Sequence, residues 1–148
     1  SKTSREIYSI VLKDTSAYGG FPFYGIVILA ALLTEDFSFA YNLVISLIAV
    51  TIIVAATRLV YFKPRPGVKK KKYATVYERI DNSSFPSIHV ARAVMLSGAF
   101  YAKAPVLTPL LLFMILLVIL SRLHFKRHDM IDITAGFVIG FVLSMIFF

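Results

Sequence analysis

Along most of this chain apolar residues neither alternate nor recur as stripes. They fall into five near-continuous blocks, at residues 17–34, 41–62, 86–101, 105–120 and 130–148, with polar interruptions between them. Crossing about 30 Å of hydrocarbon takes roughly 20 helical residues, so each block predicts a transmembrane helix. The first and third are short, which predicts tilt or local thinning of the bilayer. Ahead of them, Thr3 stands three residues before Glu6, a capping-box spacing. Ile7, Ile10 and Val11 then share one helical face, flanked by Lys2, Arg5 and Lys13. That pattern predicts a helix lying in the membrane interface. Its apolar run is broken by Ser9 and Lys13 and has no small-residue cleavage site after it, unlike a signal peptide. With no internal repeat, residues 1–148 read as one membrane-embedded, all-α domain: a multi-pass bundle of about five transmembrane helices plus the interfacial one.

The connections differ greatly in length. Residues 35–40 and 102–104 are brief, whereas residues 63–85 form a long loop bounded by Pro64, Pro66 and Gly67 at one end and Pro86 at the other. A second polar cluster occupies residues 121–132, and counting spans places both clusters on one membrane face. Composition agrees with the pattern: 58% of residues are apolar and 16% charged, against about 45–50% and 25% in soluble domains. Sixteen Lys and Arg against eight Asp and Glu give a formal charge of +8. Such an excess suits nucleic acid, anionic head groups or a phosphorylated substrate, and the hydropathy excludes the first. The absence of cysteine removes disulfides, thiolate metal sites and thiol nucleophiles, leaving His, carboxylates and hydroxyls to carry any chemistry.

Those groups concentrate at the polar face. His128 and Asp132 are four residues apart at the start of the last predicted helix, where a carboxylate can accept an imidazole N–H and fix which nitrogen faces a substrate. Taken alone, such a pair is more often an ordinary helix-surface contact. Here Ser121 and Arg122 lie just upstream, and Pro86-Ser87-Ile88-His89 opens the third predicted span, whose free N–H groups suit an anion. Arg58 and Arg65, seven residues apart, face one way if the second helix persists to Pro64. Phosphoryl transfer needs this kit: cations for the non-bridging oxygens, a nucleophile, and an acid for the leaving group.

In order and spacing these residues resemble the three-part signature of the type 2 phosphatidic acid phosphatase superfamily, the integral-membrane lipid phosphate phosphatases. The parts are Arg58, six residues, then Arg65-Pro66; Pro86-Ser87-Ile88-His89; and Ser121-Arg122, five residues, His128, three residues, Asp132. Two positions depart from the family pattern. Arg58 replaces the usual Lys and keeps the positive charge. Ile88 replaces the usual Gly, and a positive φ there would strain a β-branched residue. The resemblance implies that His128 attacks phosphorus to form a phosphohistidine, that Asp132 orients it, and that His89 protonates the leaving oxygen. It further implies that Arg58, Arg65, Arg122, Ser87 and the backbone N–H groups from Ile88 onward hold the phosphoryl oxygens, with no metal or other cofactor.

The implied activity is metal-independent hydrolysis of a lipid phosphate or diphosphate, such as a polyprenyl diphosphate, phosphatidic acid or phosphatidylglycerol phosphate. Its partners are then that substrate and the bilayer, with no nucleic acid. A lipid phosphotransferase and a non-enzymatic anion- or lipid-binding membrane protein are the alternatives. The superfamily's soluble, vanadate-dependent haloperoxidase branch does not suit five lipid-length spans. His124, Arg92 and the run Lys69 to Lys72 are weaker candidates, read as incidental, as either pocket-lining or structural, and as a juxtamembrane anchor. Gly136 and Gly140 have the spacing of close helix packing, and the many Phe and Tyr read as lipid contact and interfacial belts. The positive-inside rule places the polar face in the cytoplasm, whereas the resemblance implies a site facing outward across the cell membrane. The reading adopted is the outward one.

Overall fold

The computed structural model describes residues 2–69 and 73–148, apart from the side chain of Lys2. Seven α-helices follow in order: α1 (Lys2–Thr15), α2 (Phe21–Leu33), α3 (Phe37–Val60), α4 (Val76–Asn82), α5 (Ile88–Lys103), α6 (Thr108–His124) and α7 (Met130–Phe147). Short 3-10 turns at Ser16–Gly19 and Pro105–Leu107 precede α2 and α6. Local chemistry sets the boundaries. Asp36 caps α3 by accepting from the Phe39 N–H at 3.2 Å, and Thr75 caps α4 through the Glu78 N–H at 3.1 Å. Asp129 and Asp132 close a reciprocal capping box at the start of α7. Thr3 has no such role, because α1 is already helical at Lys2.

All five apolar blocks form helix, but they are not equivalent. Among the described residues three stretches are long and apolar enough to cross a membrane alone: Phe37–Val60, Pro105–His124 and Met130–Phe147. A fourth arises if Thr3–Gly19 and Phe21–Leu33, bent by 52° at their junction, count as one span. The sequence expectation of about five spans agrees with this fold class, the exact count being approximate, and its first and third blocks are the short ones. At about 1.5 Å per residue, the 13 residues of α2 and the 16 of α5 fall short of the hydrocarbon thickness.

α5 is instead the hub of the bundle. Val90, Ala91, Ala93, Val94, Met95, Leu96 and Ala99 are all buried, against α7, α6, α3 and the first 3-10 turn. Polar side chains tie the outer layer to this hub and to itself. Tyr18 OH and Ser97 Oγ lie 2.8 Å apart between the 3-10 turn and α5, and Tyr24 OH and Ser46 Oγ lie 2.8 Å apart between α2 and α3. Outward-facing Ile52, Leu112, Phe113, Val138 and Met145 stay exposed, as expected where lipid is the solvent.

The α5–α7 seam rests on glycine. A Cβ at Gly136 would overlap the carbonyl oxygen of Ser87, and one at Gly140 that of Ala91. The obstacle in both cases is backbone, which cannot rotate away. Gly136→Ala should therefore cost about 2–3 kcal/mol of stability, read as a lowered Tm of the protein in detergent. An unchanged Tm would contradict this packing.

Candidate active site

Backbone hydrogen bonds draw the signature segments together. The Ser84 N–H donates to the Lys63 carbonyl at 2.8 Å and the Ser87 N–H to the Asp132 carbonyl at 3.0 Å. The Ser84 hydroxyl reaches the Pro64 carbonyl at 3.3 Å. The strip at 83–87 is thus laced to the segment after α3 on one side and to the start of α7 on the other. This long connection is more ordered than a plain loop, since it also holds α4.

Around the strip a cavity of about 630 Å³ is lined by Arg58, Arg65, Ile88, His89, Arg122 and His128 together. Residues 70 positions apart in sequence at the two ends of this set, Arg58 and His128, face one space. Arg58 sits in the last turn of α3 and is anchored through Nη1 to the Ile80 carbonyl and Nη2 to the Pro86 carbonyl, both at 2.9 Å. The expected continuation of that helix to Pro64 does not occur, since α3 ends at Val60. Arg65 reaches the cavity because the chain folds back, its Nη2 donating to the Asp81 carbonyl at 3.0 Å. Arg122 enters from the last turn of α6.

These donors are not saturated. The Nε groups of Arg58, Arg65 and Arg122 and the hydroxyls of Ser87 and Ser121 are buried without a protein partner. Leaving buried donors unmade is costly, and of these groups the three arginines line the cavity, so their gathering there suits an oxygen-rich anion; Ser121, and Arg92 whose Nε is likewise unpartnered, lie outside the wall. Ser87 is the residue before α5 and does not itself line the cavity. Ile88 opens α5 in helical conformation: among the described non-glycine residues only Glu35 and Lys126 have positive φ. The strain that a positive φ would impose on Ile88 therefore does not arise.

His128 precedes the cap of α7 instead of lying on that helix. It and Asp132 consequently do not share a helical face in the manner the spacing implies. The nearest partner of His128 Nδ1 is the Ser84 carbonyl at 2.7 Å, while Asp132 Oδ2 stands 3.7 Å away. A carbonyl only accepts, so Nδ1 carries the proton and the Nε2 lone pair is left free. Asp132, fully buried, is bound instead by Lys63 Nζ at 2.8 Å, and the same ammonium pairs with Asp129. Burial disfavours the charge on Lys63, yet the two carboxylates outweigh it and raise its pKa.

Burial pushes the His128 pKa down to about 4, aided by Arg58 and Arg122 and opposed by the Ser84 carbonyl and Asp132. The sign favours an unprotonated imidazole at neutral pH. In the free protein, the ring 13C–1H signal of His128 should hold its neutral position through pH 6 and move only as pH approaches 4. A midpoint near 6.5 would contradict the environment described.

Sequence reasoning passed over Lys63 and Ser84, and also Ser9, Lys13, Ser16, Asp81, Phe125 and Arg127, which complete the cavity wall. A backbone carbonyl has no sequence signature, and Lys63 lies 69 residues from its buried partner. The wall residues on α1 belong to a helix read only for its membrane-facing side. The weaker candidates fall outside the wall. His124 packs edge-on against Tyr8, with ring centroids 5.3 Å apart, and the Arg92 guanidinium lies 5.8 Å over the Phe21 ring. Lys69 is exposed, and residues 70–72 of the lysine run lie outside the described residues.

No solved structure matches the chain significantly. A family model does: that of the PAP2 superfamily matches residues 39–148, a region containing all three parts of the signature and every helix from α4 to α7. Phosphatase chemistry on phosphate esters, carried by a membrane helical bundle, is what this match implies. The chain belongs to the PAP2 superfamily.

Proposed function

We propose that the protein is a metal-independent lipid phosphate phosphatase working through a phosphohistidine at His128, within a single membrane-embedded domain. The observation that carries this reading is the joint lining of one cavity by His89, His128 and four arginines, Arg58, Arg65, Arg122 and Arg127, at the polar end of helices with lipid-length apolar faces. The phosphoryl group of a membrane lipid lies at the interface, and its tail enters laterally between helices.

Arg58, Arg65, Arg122 and the N–H groups at the start of α5 neutralise the non-bridging oxygens. His128 Nε2 attacks phosphorus. A P–N bond forms as the P–O bond to the lipid breaks, and the departing oxygen takes its electron pair and a proton from His89. Water then attacks the phosphohistidine, His89 accepts its proton, and inorganic phosphate leaves. Asp132 backs the His128 imidazole from behind. Phosphatidic acid, phosphatidylglycerol phosphate and polyprenyl diphosphates all present the required ester or anhydride bond. The site faces outward from the cell membrane, so a single Cys placed near Lys70 should react with an impermeant label in intact cells.

The test is phosphate release by detergent-solubilised protein in excess chelator, with phosphatidic acid and a polyprenyl diphosphate as substrates. Release from at least one is expected. Release from neither, or release only after divalent metal is restored, would overturn the proposal.

A further inference from the structure

A catalytic anion site has to release its product as well as bind its substrate. The cavity that gathers Arg58, Arg65, Arg122 and Arg127 holds one carboxylate among its described wall residues, that of Asp81. Asp132 is not a second one, since it is buried behind His128 and off the wall. Asp81 belongs to α4, a helix with no buried residue of its own, so packing does not hold it in place.

The arginines do. Arg58 Nη1 donates to the Ile80 carbonyl at 2.9 Å and Arg65 Nη2 to the Asp81 carbonyl at 3.0 Å. Two residues further on, Ser83 is bridged to Pro64. The backbone of Asp81 is thus fastened to the rim of the cavity by two of the side chains that face phosphate in the proposed reaction. Its carboxylate stands within electrostatic reach of both Arg58 and Arg65, yet among the described residues it closes no ion pair with either. It lowers the positive potential of the site and leaves the Nε groups of Arg58 and Arg65 unpartnered.

We propose that Asp81 is the resident counter-charge of the cavity, a product-release residue that weakens the hold of the arginines on inorganic phosphate. This rests on the phosphatase reading above. The action is through space, on phosphate bound at Arg58 and Arg65, and Asp81 exchanges no proton with it. A like charge disfavours substrate and product phosphate alike, but only the substrate carries a lipid tail, whose apolar contacts offset the repulsion. Inorganic phosphate has no tail and bears the repulsion in full. Four arginines without a counter-charge would instead retain the product through charge-assisted hydrogen bonds.

Equilibrium binding of inorganic phosphate to the detergent-solubilised protein reads this directly. Asp81→Asn should tighten it by about tenfold, the scale of one like charge removed from beside the site, and Asp81→Glu should stay close to wild type. Glu78→Gln, on the same helix and outside the cavity wall, should leave the phosphate Kd unchanged. With a lipid monophosphate as substrate, added phosphate should inhibit Asp81→Asn more strongly by the same factor, with kcat no higher than in the wild type. Phosphate binding no tighter in Asp81→Asn, or weaker, as a loosened grip of α4 on the arginines would make it, would overturn the role and leave the phosphatase standing. A fall in kcat with an unchanged phosphate Kd would also overturn it, by giving Asp81 a part in proton transfer. Should Asp81→Asn not fold, Asp81→Ser decides the matter on the same terms. Tighter phosphate binding in the variant, with no phosphate released from any lipid by the wild type, would count against the phosphatase reading alone.

Discussion

His128→Ala should reduce phosphate release by at least about 10³-fold without unfolding the protein. The imidazole supplies a lone pair on Nε2, left free because the 2.7 Å contact with the Ser84 carbonyl keeps the proton on Nδ1. Removing it takes away the proposed nucleophile and leaves Arg58, Arg65 and Arg122 in place, so binding of inorganic phosphate should persist in the variant. A rapid quench with 32P-labelled substrate should show acid-labile, alkali-stable label on the wild type and none on His128→Ala. Label of that stability persisting in the variant would move the nucleophile to His89 or another histidine. Release at the wild-type rate without any label would replace the covalent route by direct attack of water.

Lys63→Met should lower both stability and turnover. Methionine keeps much of the length of lysine but leaves Asp132, which is fully buried, without the ammonium now 2.8 Å away. An uncompensated buried carboxylate costs about 3–4 kcal/mol, the lower part of the range for broken buried pairs because Lys63 is partly exposed. Asp132 also accepts the Asp129 N–H at 3.0 Å and its backbone carbonyl holds Ser87, so a shifted carboxylate moves both walls of the site. A displacement of about 1 Å is worth roughly 10²-fold in turnover, with KM altered much less because the arginine clamp is untouched. Adding Asp129→Asn and Asp132→Asn should restore part of the stability and none of the turnover. A Tm and kcat equal to wild type in Lys63→Met would dismiss this role.

The sequence carried the helices well because lipid-facing helices are written as long apolar runs, and it carried the three-part signature because the residues are chemically distinctive. What it did not carry depends on contacts between distant backbone. The spacing of His128 and Asp132 describes a shared helical face, whereas the cap at Asp129 puts His128 before the helix and hands its Nδ1 to Ser84. Likewise the spacing of Arg58 and Arg65 describes two turns of one helix, whereas α3 stops at Val60 and Arg65 arrives by reversal of the chain. Arg58 and Arg65 do meet at the cavity, by a different path, whereas Asp132 stays buried behind His128 and off the cavity wall. The span count was legible only approximately because hydropathy measures greasiness and not neighbours: a helix enclosed by protein, as α5 is, is as apolar as one enclosed by lipid.

That enclosure has a mechanical consequence. Bilayers differ in thickness, and a membrane thinned or stretched loads the helices whose flanks meet its acyl chains. Those flanks belong chiefly to α3, α6 and α7, while α5 bears His89 at its first turn and is wrapped along its middle by its neighbours. The protein thus insulates His89 from the membrane in which it is dissolved. Lipid composition can tilt the outer helices, while the start of α5, one residue after Ser87, is held against α7 at the glycine seam.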